Sequence, residues 1–142
     1  MLCSSTTTGT PRGSRKQHIE LDSIRLPACE APIVVEGAGG VMVPLNEREL
    51  MVDLMARLDL PVVLVARTSL GTINHTLLSL ECLRRRGLKV AAVLLDGPAN
   101  PANRAAIELF GAAPTSEVPM LDPLGPDAVA RAAVGLAALF GG

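Results

Sequence analysis

Three short runs of consecutive apolar, largely β-branched residues punctuate the chain: Ile33 to Val35, Val62 to Val65 and Val90 to Leu95. Apolar residues on successive positions fit strands covered on both faces, so each run predicts an interior strand. Between the first two, Leu50, Met51, Leu54, Met55 and Leu58 recur at helical spacing and stop before Pro61. Asn46 and Glu49 precede them with the spacing of a capping box. After the second run, Ile73, Leu77, Leu80 and Leu83 mark one face of another helix. Arg84, Arg85 and Arg86, then Gly87, give it a cationic last turn and a C-cap glycine, which reads as a capped, solvated helix end rather than a binding patch. Asn100 and Pro101 open a third helix through Phe110, and Gly125 and Pro126 open an alanine-rich fourth to Phe140, each with proline at the first helical position. Between these two, Ser116 to Met120 has room for a short strand. Strands alternating with helices define an α/β fold, a parallel sheet flanked by helices.

The first eighteen residues, MLCSSTTTGTPRGSRKQH, follow no apolar period and are rich in Ser, Thr, Gly and basic residues. They are expected to form a flexible leader at 1–18, with one domain at 19–142. At 49% apolar and 19% charged residues, the 142-residue chain has enough apolar surface to offset its ordering entropy. Thirteen Lys and Arg against fourteen Asp and Glu leave a net charge of −1, without the basic excess of a nucleic-acid binder. With Phe110 and Phe140 the only aromatics, base-stacking platforms are excluded as well. Cys3, Cys29 and Cys82 are odd in number and scattered, which argues against a disulfide framework or a zinc site and for a reducing cytoplasm. No apolar run approaches the roughly 18 residues of a membrane span.

Three segments carry candidate chemistry. In VVEGAGGVMVPL, Val34 to Leu45, an apolar run delivers Glu36 to a glycine-rich turn at Gly37, Gly39 and Gly40. At the C-terminal edge of a parallel sheet such a turn lets phosphate oxygens approach the backbone, and a strand-end carboxylate can hold magnesium. A tight turn with an exposed glutamate explains the same residues. The dinucleotide fingerprint is not met, because Met42 stands where glycine is needed and Pro44 where a helix should run. In SLGTINH, Ser69 to His75, the first turn of a helix could receive a carboxylate or phosphate, with Asn74 and His75 in reach of it. An ordinary strand-to-helix junction, with His75 packed or solvated, is the alternative. In LLDGPANPANR, Asp96 ends a strand and is expected to stand like Glu36 on a neighbouring strand, or else to begin a plain turn capped by Asn100.

Taken together, EGAGGVMVPL, the segment LPVVLVARTSLGTINHTLLSLECLRRRGL and the later SEVPML resemble the C-terminal half of the ATP-dependent dethiobiotin synthase family, from about Ile19 onward. The resemblance implies a P-loop NTPase-like α/β fold, here incomplete at the N-terminus, and a cytoplasmic homodimer. It implies closure of a ureido ring on 7,8-diaminononanoate with CO2, using ATP and Mg: the diamine takes up CO2 as a carbamate, ATP phosphorylates it, and the second amine displaces phosphate. By that resemblance Glu36 looks like the magnesium ligand, and Gly37, Ala38 and Gly39 the loop beside the phosphates. Asp96 and Gly97 fall where the adenine base is contacted, and Pro119, Met120 and Leu121 match the loop that closes over it. Leu70, Gly71, Thr72, Ile73 and Asn74 look like the turn that receives the substrate carboxylate across the dimer interface.

The chain also departs from that family. No segment satisfies GxxxxGK[ST]; GTPRGSRK at Gly9 to Lys16 has the composition without the register. The only lysines are Lys16 and Lys89, neither suited to the phosphate or the carbamate, so no residue is assigned a catalytic role and the chain alone is expected to be inactive. Asp96 replaces the family's usual Asn, whose amide both donates to and accepts from adenine, whereas an ionised Asp only accepts. Two other readings compete: another P-loop amide-forming ligase, and a noncatalytic interaction fragment that completes its sheet with a partner chain.

Overall fold

The structure, a computed structural model, describes residues 2–4, 19–28, 30–118 and 120–137. Its strands are β1 at Leu2–Ser4, β2 at Glu36–Gly37, β3 at Val62–Arg67, β4 at Val90–Asp96 and β5 at Thr115–Val118. Its helices are α1 at Met51–Leu58, α2 at Thr72–Arg85, α3 at Pro101–Gly111 and α4 at Pro126–Ala137. The strands form one sheet in the order β2-β1-β3-β4-β5, with every pairing parallel.

The core follows the apolar pattern. Val62, Leu64 and Ala66 of β3 and Val93 and Leu95 of β4 are buried in one cluster with Leu80 and Leu83 of α2 and Ile107 of α3. A fully buried Leu, Ile or Val contributes roughly 1.5–3 kcal/mol relative to exposure, so this cluster carries the fold's stability. Gly111 lets α3 approach α2: a Cβ there would lie 2.7 Å from Leu80 Cδ1.

The helix ends are closed largely as their residues predict. Asn100 caps α3, its side-chain oxygen accepting from the Asn103 N–H at 3.1 Å. Gly87, at φ 73°, ends α2, and the Leu88 N–H reaches back to the Leu83 carbonyl at 3.1 Å. The arginine cluster is bound into the helix layer: Arg84 donates to the Gly111 and Ala112 carbonyls, Arg85 pairs with Glu81, and Arg86 pairs with Asp53 of α1.

Four expectations need correction. Leu2–Ser4, expected in a flexible leader, is a strand in the interior of the sheet, with Leu2 in register with both Glu36 and Val63. Backbone pairing on both sides fixes it, and three residues are too few to show a period in the sequence. Residues 5–18 lie outside the described residues. Ile33 to Val35 is not a strand, and the strand that follows it is at the sheet edge; Ile33 is 40% and Val34 70% exposed. Asn46 and Glu49 do not cap α1. Asn46 Oδ1 accepts from the Arg48 and Glu49 N–H groups, closing a turn, while the cap contact comes from the Asp53 carboxylate, which accepts from the Leu50 N–H at 2.7 Å. Finally, Glu36 and Asp96 do not stand on neighbouring strands, since β1 and β3 lie between β2 and β4. Three strand spacings separate them by about 14 Å across the sheet.

Candidate functional site

The glycine-rich turn is shaped by packing. A Cβ at Gly37 would lie 2.9 Å from Met51 Sδ, and one at Gly39, which has φ 97°, would lie 2.8 Å from Val43 Cγ2. Gly40, at φ 140°, has open space on its Cβ side, so there the backbone itself is approachable. Beyond the turn the Val41 and Val43 carbonyls accept from the Val52 and Met51 N–H groups at 2.9 and 2.8 Å, which anchors the turn to the start of α1. The Cys82 thiol, donating to Met42 Sδ at 3.3 Å, ties it to α2. Ala38 is exposed. Glu36 is exposed and has no ion-pair partner among the described residues, where no cluster of three or more metal-ligating side chains occurs. A lone carboxylate suits magnesium, which keeps several waters and takes substrate phosphates as its other ligands.

The start of α2 is the second part. Gly71, at φ 89°, is the N-cap and offers no side-chain cap. The Thr72 N–H bonds to the Ser69 carbonyl, and the Ile73 and Asn74 N–H groups have no acceptor among the described residues. These free donors and the positive helix end favour an anion. A cavity of about 220 Å³ opens here between β3 and α2, lined among others by Arg67, Ser69, Leu70, Thr72, His75 and Thr76. A second space of about 430 Å³ is lined by Gly39 to Val43 and, on α2, by His75, Leu78 and Ser79. His75 and Ser79 border both, so the glycine turn and the α2 start are neighbours. Asn74 lies apart from His75: it borders a groove on another side of α2, with Phe110 and Arg84. Leu70 is fully exposed, Ile73 is half-buried, and the Thr72 hydroxyl is buried with no partner among the described residues.

The third part lies at the β4–β5 edge. Asp96 ends β4, exposed, in register with Arg67 on β3 and Val118 on β5. Its carbonyl accepts from the Thr68 N–H at 3.2 Å. Gly97 has φ 135°, and the Thr68 hydroxyl occupies the place a Cβ would need. Met120 is 75% exposed; Leu121 is half-buried beside Ala128, Arg131 and Ala132 of α4. Pro119 lies outside the described residues.

Arg67, Thr76 and Ser79 border these spaces, and Thr68 packs over Gly97, without having been singled out in the sequence. Arg67 and Thr68 were visible as the polar end of an apolar run, and Thr76 stands one helical turn after Thr72.

A parallel sheet with its candidate residues at the strand ends and at a helix start is the architecture of P-loop nucleotide-dependent enzymes. A family model described as an AAA domain matches residues 10–128, and the chain belongs to that family. Its similarity to particular members is closer still. It is 59% identical over 96 residues to an ATP-dependent dethiobiotin synthetase of Paramagnetospirillum magneticum, covering 68% of this chain and 47% of that protein. It is 54% identical over 112 residues to a biotin biosynthesis bifunctional protein of Bordetella avium, covering 78% and 24%, and 46% identical over 115 residues to a dethiobiotin synthetase of Brucella anthropi, covering 80% and 54%. The chain thus spans about half the length of the two synthetases and about a quarter of the bifunctional protein. Among the described residues no helix is long and apolar enough to cross a membrane.

Proposed function

We propose that the chain provides the metal, nucleotide-base and substrate-carboxylate parts of a dethiobiotin synthetase, which closes the ureido ring of dethiobiotin from 7,8-diaminononanoate and CO2 with ATP and Mg. The observation that carries this reading is the meeting of the glycine turn and the α2 start at His75 and Ser79. In it Glu36 would hold the magnesium ion, which when bound would supply positive charge to the phosphates. Gly37, Ala38, Gly39 and the open backbone at Gly40 border the phosphates. The free N–H groups of Ile73 and Asn74, in the turn from Leu70, receive the substrate carboxylate, with a second copy of the chain completing the site in a cytoplasmic homodimer. Asp96, Gly97, Met120 and Leu121 border the base.

On this reading the chain by itself turns nothing over, because neither Lys16 nor Lys89 suits the phosphate or the carbamate. The test is an assay with diaminononanoate, bicarbonate, magnesium and ATP, first on the chain alone and then after co-expression with the N-terminal half of a relative. Expected are silence in the first case and magnesium-dependent turnover in the second, lowered at least a hundredfold by Glu36→Ala, on the order of 3 kcal/mol. A folded but magnesium-independent complex would refute the role of Glu36, and a folded complex without turnover would refute the reading.

A further inference from the structure

We infer that Arg67 is the residue that reads the charge of the substrate carboxylate at the start of α2, so that the site selects an ionised carboxylate on an apolar stem over its neutral analogues. The inference deepens the proposal that the turn from Leu70 to Asn74 receives that carboxylate, and it rests on it.

Arg67 ends β3, and α2 begins at Thr72. Both residues border the cavity of about 220 Å³ between these elements. The backbone joining them is fixed: the Thr68 N–H donates to the Asp96 carbonyl at 3.2 Å, the Thr72 N–H to the Ser69 carbonyl at 3.1 Å and the His75 N–H to the Gly71 carbonyl at 3.0 Å. Among the described residues that line the cavity none is acidic, and Arg67 is the one Lys or Arg. Arg67 has no ion-pair partner among the described residues; Asp96, its register partner on β4, neither pairs with it nor lines the cavity. A second observation points to a ligand. Thr72, at the helix start, is only 6% exposed, and its hydroxyl has no hydrogen-bond partner among the described residues. Leu64, Val65 and the fully exposed Leu70 give the same cavity an apolar side.

These groups suit one ligand end. An ionised carboxylate only accepts, at about four lone-pair sites. The Ile73 and Asn74 N–H groups, the Thr72 hydroxyl and the Arg67 guanidinium supply donors for them. A helix start offers only a partial positive charge, whereas a carboxylate leaving water needs a full counter-charge beside it. Arg67 is the group that brings one to this cavity. A hydrocarbon stem behind the carboxylate meets the apolar side at Leu70, which bare phosphate cannot use. A charge-assisted contact of this kind is worth about tenfold in affinity.

The experiment is a titration of the full chain with nonanoate, nonanamide and inorganic phosphate, followed by the backbone amide resonances and repeated on Arg67→Gln, Arg67→Lys and Thr72→Val. Nonanoate carries the carboxylate and stem without the amines, so neither nucleotide nor metal is needed. Arg67 is exposed, so its variants keep the fold, which the remaining amide resonances check. Expected is a shift of the Ile73 and Asn74 amides by nonanoate, with affinity falling about tenfold in Arg67→Gln, partly restored in Arg67→Lys and lowered in Thr72→Val. Added salt should weaken nonanoate binding to the wild type more than to Arg67→Gln. Shifts of those two amides with an affinity that Arg67→Gln leaves unchanged, or with nonanamide binding as well as nonanoate, overturn the inference and leave the carboxylate site standing. Nonanoate that leaves the Ile73 and Asn74 amides unmoved, or phosphate that binds there more tightly, overturns the carboxylate site itself, and the inference with it.

Discussion

Thr76 is 2% exposed in the middle of α2, and its hydroxyl has no hydrogen-bond partner among the described residues. A hydroxyl taken out of water without a partner costs about 1–3 kcal/mol. Valine has nearly the same shape and a similar helix propensity, and its extra methyl adds apolar burial at the same place. Thr76→Val is therefore expected to stabilise the protein by about 1–2 kcal/mol. For a chain of this length that raises Tm by roughly 3–8 °C. In urea the midpoint should rise with the slope unchanged, because the surface exposed on unfolding is nearly the same. Thr76→Ser is the companion: it keeps the hydroxyl, removes the methyl, and should destabilise by about 1 kcal/mol. A less stable valine variant would refute the reasoning, since it would mean that the hydroxyl bonds in the folded state, to the Thr72 carbonyl one turn back or to a molecule held in the adjoining cavity.

Two further substitutions test local geometry. Asn100→Ala removes the side-chain acceptor of the Asn103 N–H and should cost about 1 kcal/mol in urea denaturation; an unchanged midpoint would mean that water replaces the cap. Ala112 ends α3 at φ 42°, a left-handed conformation, so Ala112→Gly should stabilise by about 1 kcal/mol in thermal unfolding, and a loss of stability would show that the alanine is not strained there.

What the residues announced depended on how much of each element's environment is local. The strands at Val62 and Val90, with α2 between them and α3 beyond, were legible because apolar runs, a glycine stop and an asparagine start act within a few residues of themselves. Strand order is different: nothing local to Glu36 says that two strands will separate it from Asp96. The partnership of Arg67 with Asp96 was hidden for the same reason, since it arises from the register of strands joined by a whole helix. At the site, the glycine turn was recognisable as a turn, but its second reason for glycine, the pressure of Met51 and Val43, needed coordinates. Thr76 was silent because a polar residue on a helix reads as solvent-facing until a sheet is placed under it.

The three residues of β1 also set an order in time. Their partner on one side is β3, about sixty residues further along, and on the other β2, more than thirty residues away. A ribosome therefore releases β1 long before either neighbour exists, and loop closure over such distances is slow compared with the local closure of β3, α2 and β4. The unit made by those later elements forms first, and the early segment joins it afterwards. Glu36 and Gly37 pair with the sheet only through β1, so their place in it waits on that early segment even though the turn after them is already tied to α1 and α2.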